Sequence, residues 1–465
     1  MNVLYLFSGK MSIKLYYDKG TIVLSTKDKI PSSLTRFLKF DPRINAYRGL
    51  AMYYSVIVSI LKELGITFFD DVFRDVGCTN FEKSSEIRLR SYQREALQNW
   101  MGAGKRGIIV LPTGAGKTLV GIAAIAELRQ SSLVVVPTIE LMDQWALRIQ
   151  KYLSFDVGLY GGGDKELKCI TVTTYSSAYL NAEIIGNKFR FVIFDEVHHL
   201  PSEGYRQIAE LSAAPYRMGL TATPEREDEA HKELDTLVGP IVYRGNVKDF
   251  AGSYLANFEV KKIYVPLTKD EYARYKELNR KYEEYFKKRG WVLRSLKDFE
   301  RFIMRTGNDR EAREALLAWN EARRIALNSY TKIEKLHELL SEHRGERIII
   351  FTEHNELVKR ISDELLIPII TYKTDDDERK AIMDGFRSGI YNVVATSKVL
   401  EEGVDVPDAN IAIILSGSGS RREFIQRLGR ILRPKEGKRA ILYEIISSGT
   451  KEVRVSKKRS KILGD

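Results

Sequence analysis

Leu111-Pro112-Thr113-Gly114-Ala115-Gly116-Lys117-Thr118 is a glycine-rich loop between an apolar strand and an apolar helix that runs through Val120, Ile122 and Ile125. That context suits polyphosphate chemistry. Gly114 and Gly116 let the backbone wrap phosphates, Lys117 brings a cation to the β/γ oxygens, and the Thr118 hydroxyl is positioned to ligate magnesium. Pro112, Thr113 and Ala115 complete the wrap, and Leu111 stands where the general pattern has its first glycine, leaving a shorter Gly-x-Gly-Lys-Thr form. Farther on, Phe191-Val192-Ile193-Phe194 runs into Asp195-Glu196-Val197-His198, so a buried strand delivers two carboxylates to its carboxyl end, where α/β sites lie. Asp195 is read as the magnesium partner, through water, and Glu196 as the general base that polarises an attacking water. Two adjacent acids after a strand also fit a solvated turn; the phosphate loop upstream decides for the catalytic reading. The cofactors expected are therefore ATP and Mg2+, with Thr118 and Asp195 as the metal set.

Parallel sheets must position these groups. From Arg88 to about Val260, short apolar runs alternate with amphipathic helices, the pattern of a parallel sheet covered on both faces. Gly107–Leu111, Leu133–Val136 and Phe191–Phe194 are the clearest strands, and the alternation resumes at Arg347 with Ile348–Phe351, Asn392–Ala395 and Ile411–Leu415. The chain has 465 residues, more than the ~250 to 300 that one core accommodates. The expected fold class is α/β, with two parallel-sheet domains over 86–260 and 343–465, a small α+β domain over 1–85 and a helical insertion over 261–342. In the first of these, Ile13–Tyr17 and Thr21–Ser25 form a hairpin about Asp18-Lys19-Gly20, and the apolar spacing from Tyr47 to Leu64 predicts a helix. The insertion opens with Thr268 and Glu271 at capping-box spacing. Its Tyr272, Tyr275, Tyr282, Tyr285 and Phe286 read either as helix packing or as a stacking platform for bases among Lys and Arg. Lys451 to Lys461 reads as a solvated basic tail.

A net charge of +12 makes an anionic partner plausible. The 2 cysteines, Cys78 and Cys169, sit in no metal-binding spacing and are expected as separate buried apolar side chains. No apolar run reaches the ~18 to 20 residues that span a bilayer, and the start, Met1 to Met11, lacks a signal-peptide pattern. A soluble, intracellular, cytoplasmic protein without a membrane partner is expected. The excess of Ile, Lys, Arg and Glu over Gln and Cys is compatible with growth at high temperature.

From Leu89 to Arg433 the chain resembles the DExH-box superfamily 2 helicases, whose domains are RecA-like. Arg90, Tyr92 and Gln93 resemble the adenine-reading element, with the Gln93 amide facing the base edge. Val136-Pro137-Thr138, Thr173-Thr174-Tyr175, Phe351-Thr352 and Ala395-Thr396 resemble the loops that grip a nucleic-acid backbone. Thr221-Ala222-Thr223 resembles the element coupling hydrolysis to movement, with a hydrogen bond expected toward His198. Gly403-Val404-Asp405 resembles the turn that meets the nucleotide, and Gln426 to Arg433 the arginine-finger motif, in which Arg430 and Arg433 would reach the transferring phosphoryl group. Within that superfamily the chain resembles the XPB family. Arg226-Glu227-Asp228 is similar to its RED loop, the charged helical insertion to its thumb, and Lys39 to Arg48 to its damage-recognition domain. The resemblance implies an ATP-dependent DNA motor, a helicase or duplex translocase of 3′ to 5′ polarity acting in DNA repair and also transcription. It further implies a prokaryotic, archaeal origin, a monomeric motor and a nuclease partner. Duplex, forked or single-stranded DNA would be held mainly through phosphates. The residues leave two alternatives, an RNA helicase or restriction-type motor, and a DNA-binding module whose motor has decayed; the intact Lys117, Thr118, Asp195, Glu196, Arg430 and Arg433 argue against the last.

Overall fold

The computed structural model describes residues 13–74, 76–78, 87–226, 228–245, 257–293, 296–397, 409–416 and 439–460. Strands β1 (Ile13–Asp18) and β2 (Thr21–Ser25) pair antiparallel. Lys19 and Gly20 between them have φ of 42° and 84°, the left-handed pair that matches the twist of a two-residue hairpin. Strands β3 (Lys39–Asp41), β4 (Ala46–Leu50) and β5 (Phe68–Asp71) complete a five-stranded sheet of order β3-β4-β2-β1-β5. Helix α1 (Tyr54–Glu63) covers it with Tyr54, Ile57 and Leu61. The expected helix from Tyr47 starts late, because Ala46–Leu50 pairs with β2 and β3 instead.

This small domain is fastened to the one that follows. The Tyr17 hydroxyl lies 3.0 Å from the carbonyl oxygens of Glu183 and Leu211, and the Asn187 amide donates to the Val72 carbonyl at 2.9 Å. Arg190 stacks over Phe73 at 4.3 Å. The cysteines differ from expectation: Cys78 and Cys169 form a disulfide with Cα atoms 4.9 Å apart. A sequence separation of 91 residues concealed the pairing, and loops this long are the ones whose closure most constrains the unfolded chain. Reduction, or Cys169→Ser, is expected to lower the stability of this region by about 2–4 kcal/mol. Differential scanning calorimetry with and without reductant checks it: a melting profile indifferent to reductant would show that the bond contributes nothing in solution.

The second sheet contains β6 (Arg106–Val110), β7 (Ser132–Val136), β8 (Val157–Gly161), β9 (Asp164–Lys165), β10 (Ile170–Thr174), β11 (Phe191–Asp195), β12 (Tyr216–Thr221) and β13 (Ile241–Arg244). Its order is β13-β6-β12-β11-β7-β10-β8-β9, parallel except for the β8–β9 pair. Helices α2 (Ser91–Gly102), α3 (Lys117–Leu128), α4 (Ile139–Leu153) and α5 (Tyr175–Leu180) belong to this domain. Because β12 lies between β6 and β11, the carboxyl ends of three strands stand side by side, with Thr221 opposite Val110 and Asp195 opposite Leu220.

The third sheet, described by itself, has the order β14-β19-β18-β15-β17-β16, all parallel. Its strands are β14 (Asn257–Val265), β15 (Ile348–Thr352), β16 (Ile369–Ile370), β17 (Val393–Ser397), β18 (Ile411–Ile414) and β19 (Arg439–Ser447). The boundary expected at 260 therefore falls inside a strand of this sheet. Between β14 and β15 come α6 (Lys269–Arg289), α7 (Leu296–Arg305), α8 (Arg310–Leu327) and α9 (Tyr330–Glu342). Thr268 and Glu271 form the capping box, and Gly290 at φ 61° ends α6. Tyr285, Phe286 and Phe302 are buried together, with Tyr282 partly buried beside them, so those aromatic residues pack the insertion. Tyr275 is buried in a neighbouring cluster, and Tyr272 remains exposed. Helix α9 places Ile333, Leu336 and Leu339 in the sheet's own core, so the expected insertion end at 342 lies one helix too far. Part of the expected solvated tail is instead helix α10 (Glu452–Ser460), with Glu452 and Ser456 buried. No helix among the described residues is long and apolar enough to cross a membrane.

Candidate active site

Val110 ends β6 and the loop Leu111–Gly116 turns into α3 through Gly114 at φ 85° and Gly116 at φ 79°. Those left-handed conformations favour glycine. A Cβ on Gly116 would also lie 2.4 Å from Gln93 Nε2. Gln93 is buried, its amide nitrogen donates to the Ala115 carbonyl at 2.9 Å, and its amide oxygen accepts from the Arg90 N–H at 2.9 Å. The Tyr92 hydroxyl donates to the same Ala115 oxygen at 2.9 Å. This element therefore clamps the loop from behind, and each end of the Gln93 amide keeps one further hydrogen-bonding position. Gly116→Ala is expected to weaken nucleotide affinity about tenfold or more, since a left-handed alanine alone costs about 1–2 kcal/mol. Equilibrium binding of a fluorescent ATP analogue tests this, and wild-type affinity would refute it.

The loop fits a polyanion. Thr113 Oγ1 is buried without a hydrogen-bond partner among the described residues. Lys117 Nζ lies 3.4 Å from the Leu111 carbonyl oxygen and 3.8 Å from Glu196 Oε1. Opposite, Asp195 is buried at the end of β11, with Oδ2 accepting from Trp145 Nε1 at 2.8 Å and Oδ1 from the Glu196 N–H at 3.0 Å. Burial first, and the neighbouring Glu196 charge second, push its carboxyl up to about 6, against the pull of Lys117 and the Trp145 hydrogen bond. No group of three or more His, Cys, Asp or Glu side chains that could hold a metal ion by itself occurs among the described residues, which leaves Thr118 and Asp195 as the donors beside the loop. That donor set suits magnesium, which takes one or two protein oxygens and completes its shell with phosphate and water.

Glu196 adopts φ 47°, a left-handed conformation that is uncommon for a residue with a side chain and clusters at functional sites. Its Oε2 accepts from Thr221 Oγ1 at 3.3 Å and lies 3.5 Å from His198 Nδ1. His198 is fully buried, and its Nδ1 stands 3.2 Å from Thr221 Oγ1. The Thr223 N–H donates to Thr221 Oγ1 at 3.1 Å. Thus the expected His198–Thr221 contact exists, and Thr221 also touches the proposed base. Arg226 extends the chain of contacts: its Nη1 donates to the His198 carbonyl at 2.8 Å and its Nη2 to Asp228 Oδ2 at 2.6 Å. The Arg226 hydrogen bonds hold the Asp228 carboxyl down to about 2. Arg226 and Asp228, expected at nucleic acid, are engaged with each other and with the hydrolytic element.

Thr138 and Thr174 cap α4 and α5, accepting from the Leu141 and Ser177 N–H groups at 3.3 and 3.2 Å. Both stand where β7 and β10 end, as expected for loops at the sheet's carboxyl edge. Thr352 and Thr396 lie on β15 and β17 of the third sheet and are buried, as Thr174 is. Thr352 Oγ1 pairs with Ser416 Oγ at 2.7 Å, and Thr396 Oγ1 has no hydrogen-bond partner among the described residues. Glu227, Gly403, Asp405, Gln426, Arg430 and Arg433 lie outside the described residues. Sequence reasoning missed Trp145 and Arg148, on α4; Arg148 Nη1 donates to Thr118 Oγ1 at 3.2 Å. Only the recurrence of the two at helical spacing was visible, and that spacing carries no sign of their partners.

Profiles of three families match along the chain. They are the type III restriction enzyme res subunit over residues 86–226, the ERCC3/RAD25/XPB C-terminal helicase over 307–465, and the xeroderma pigmentosum group B helicase damage recognition domain over 15–72. A DNA 3′-5′ translocase XPB2 of Sulfurisphaera tokodaii is 50% identical over 447 residues, covering 96% of this chain and 99% of that one. The chain belongs to the XPB family. A more distant XPB relative is a general transcription and DNA repair factor IIH helicase/translocase subunit XPB1 of Arabidopsis thaliana, 30% identical over 83% of this chain. The chain spans 50% of that relative's length. The crystal structure of the Pyrococcus furiosus Hef helicase domain aligns with TM-score 0.52 and 21% identity, covering 80% of this chain and 98% of that one. At that identity the likeness concerns fold, and it agrees with two RecA-like domains plus the small amino-terminal XPB domain.

Proposed function

We propose that this chain is a DNA-dependent ATPase that moves along DNA, a 3′ to 5′ translocase or helicase acting in DNA repair and also transcription. The observation carrying this reading is the continuous set of contacts from Lys117 through Glu196, Thr221 and His198 to Arg226. A group able to activate water is thereby joined to Arg226, in the segment that resembles the XPB RED loop. Polarity and pathway come from the names of the relatives, above all the translocase that the chain matches over almost its whole length.

In this reading the Thr113–Thr118 loop holds the ATP phosphates, Thr118 and Asp195 hold magnesium, and Glu196 takes the proton of the attacking water. When bound, magnesium offsets charge on the transferring phosphoryl group. Lys117 neutralises the terminal phosphate oxygens and leaves its long contact with Glu196. Thr221 keeps the Glu196 carboxylate aimed while its oxygen accepts from Thr223. Gly403, Asp405, Gln426, Arg430 and Arg433 belong to the same reading by motif alone. Thr138 and Thr174 are the phosphate contacts of the first motor domain. A monomeric motor, an intracellular site of action and a nuclease partner complete the proposal. A disulfide in an intracellular protein fits an organism growing hot, as does the charge-rich composition.

Steady-state ATP hydrolysis without nucleic acid and with single-stranded DNA, forked duplex DNA or RNA tests the assignment. Strong stimulation by DNA is expected. Preference for RNA, or indifference to every nucleic acid, would keep the nucleotide site and overturn the DNA motor.

A further inference from the structure

Helix α4 starts at Thr138 and, two turns later, reaches the metal-holding pair. Trp145 is 1% exposed. Its indole rests so closely on α3 that a Cβ at Gly121 would lie 2.7 Å from the Trp145 ring. The indole has a single donor, and that N–H is given to Asp195 Oδ2 at 2.8 Å. Three residues on, and so on the same side of the helix, Arg148 donates to Thr118 Oγ1 at 3.2 Å. One helix therefore contacts both side chains, Asp195 and Thr118, to which the phosphate-loop reading assigns magnesium.

The two contacts have opposite consequences for a cation. A neutral N–H on Oδ2 fixes the rotamer of Asp195 and leaves its negative charge available. A guanidinium on Thr118 Oγ1 has only donors to offer, takes a lone pair of the oxygen a metal would use, and repels a second cation. We propose that α4 is a positioning helix for the metal: Trp145 orients Asp195 to receive magnesium, and Arg148 is a placeholder cation on Thr118 that magnesium must displace. This rests on the nucleotide-site reading above. Its consequence is that metal loading releases a contact made by the helix whose first turn carries Thr138, so the metal site and the loop at the end of β7 share one rigid element.

The test measures magnesium half-saturation for binding of fluorescent ADP, without nucleic acid, in the wild type, Trp145→Phe and Arg148→Gln. Phenylalanine keeps an aromatic ring over Gly121 and removes the N–H. Outer-shell partners of metal ligands are typically worth about 10–100-fold in metal affinity, so Trp145→Phe should raise the half-saturation at least tenfold with ADP binding in EDTA unchanged. Arg148→Gln, at an exposed position that folding tolerates, should lower it. Opposite shifts are a signature that general damage to the fold would not give. Half-saturation unchanged in either variant, or raised in both, overturns the proposal. DNA-stimulated hydrolysis by the wild type is scored in parallel: its absence refutes the DNA-motor reading, while the metal titration still judges α4.

Discussion

Glu196→Gln is expected to reduce DNA-stimulated ATP hydrolysis by about 10²–10⁴-fold, the range for loss of a positioned general base, while ATP still binds. The substitution is nearly isosteric. Its amide oxygen can accept from Thr221 as the carboxylate does at 3.3 Å, and the backbone N–H that donates to Asp195 Oδ1 is untouched. The Thr113–Thr118 loop keeps the clamp made by Tyr92 and Gln93. What disappears is the proton acceptor and one negative charge near Lys117. Nucleotide affinity should therefore hold or rise, since Lys117 loses its competing partner. The left-handed backbone of Glu196 makes the same point from another direction. A strained conformation is retained at a functional site only where the surroundings fix it, and here the strain turns the carboxylate from the end of β11 toward Thr221 and His198. Parallel measurement of hydrolysis and of binding by a non-hydrolysable analogue separates the two effects. Hydrolysis at the wild-type rate would transfer the base role to another group, and loss of binding would show that Glu196 holds the loop together.

The candidate site is legible in the sequence where its signals are local. A glycine at 114 and another at 116, a lysine and a threonine after them, and two acids after Phe191–Phe194 each declare a backbone position and a chemistry within a few residues. Parallel-sheet topology then puts the ends of β6, β12 and β11 together. What stayed hidden depends on contacts between distant segments. Trp145 and Arg148 carry no local sign of their roles, and their partners are 50 and 30 residues away. The disulfide closes across 91 residues. Asn257–Val265 looked like the end of one domain because nothing local states that its partner is Arg439–Ser447. The basic segment after Lys451 misled for a related reason: its abundant charge concealed a few buried positions that tether it.

The tether also predicts a large loss of stability. Lys332→Met is expected to destabilise the second motor domain by about 3–5 kcal/mol, the cost of breaking a buried ion pair and leaving the other charge alone. Lys332 and Glu452 side chains are 0% and 2% exposed, with Nζ at 2.7 Å from Oε1 and 2.8 Å from Oε2. The same ammonium donates to the Leu415 carbonyl at 2.6 Å, just past the end of β18, and Glu452 Oε2 accepts from the Ser447 N–H at 2.9 Å. One pair thus joins α9, β18, β19 and α10. Methionine matches the lysine stem in length and apolar volume, so the loss would come from a buried carboxylate deprived of its ammonium rather than from a cavity. Adding Glu452→Gln removes that charge while keeping an acceptor for Ser447, and most of the stability should return. Thermal melts of the wild type, the single variant and the double variant decide between the explanations. Recovery in the double variant assigns the loss to an unpaired buried charge. Two equally unstable variants would mean that the attraction itself holds these elements together, and an unaffected single variant would show that α10 does not dock through Lys332.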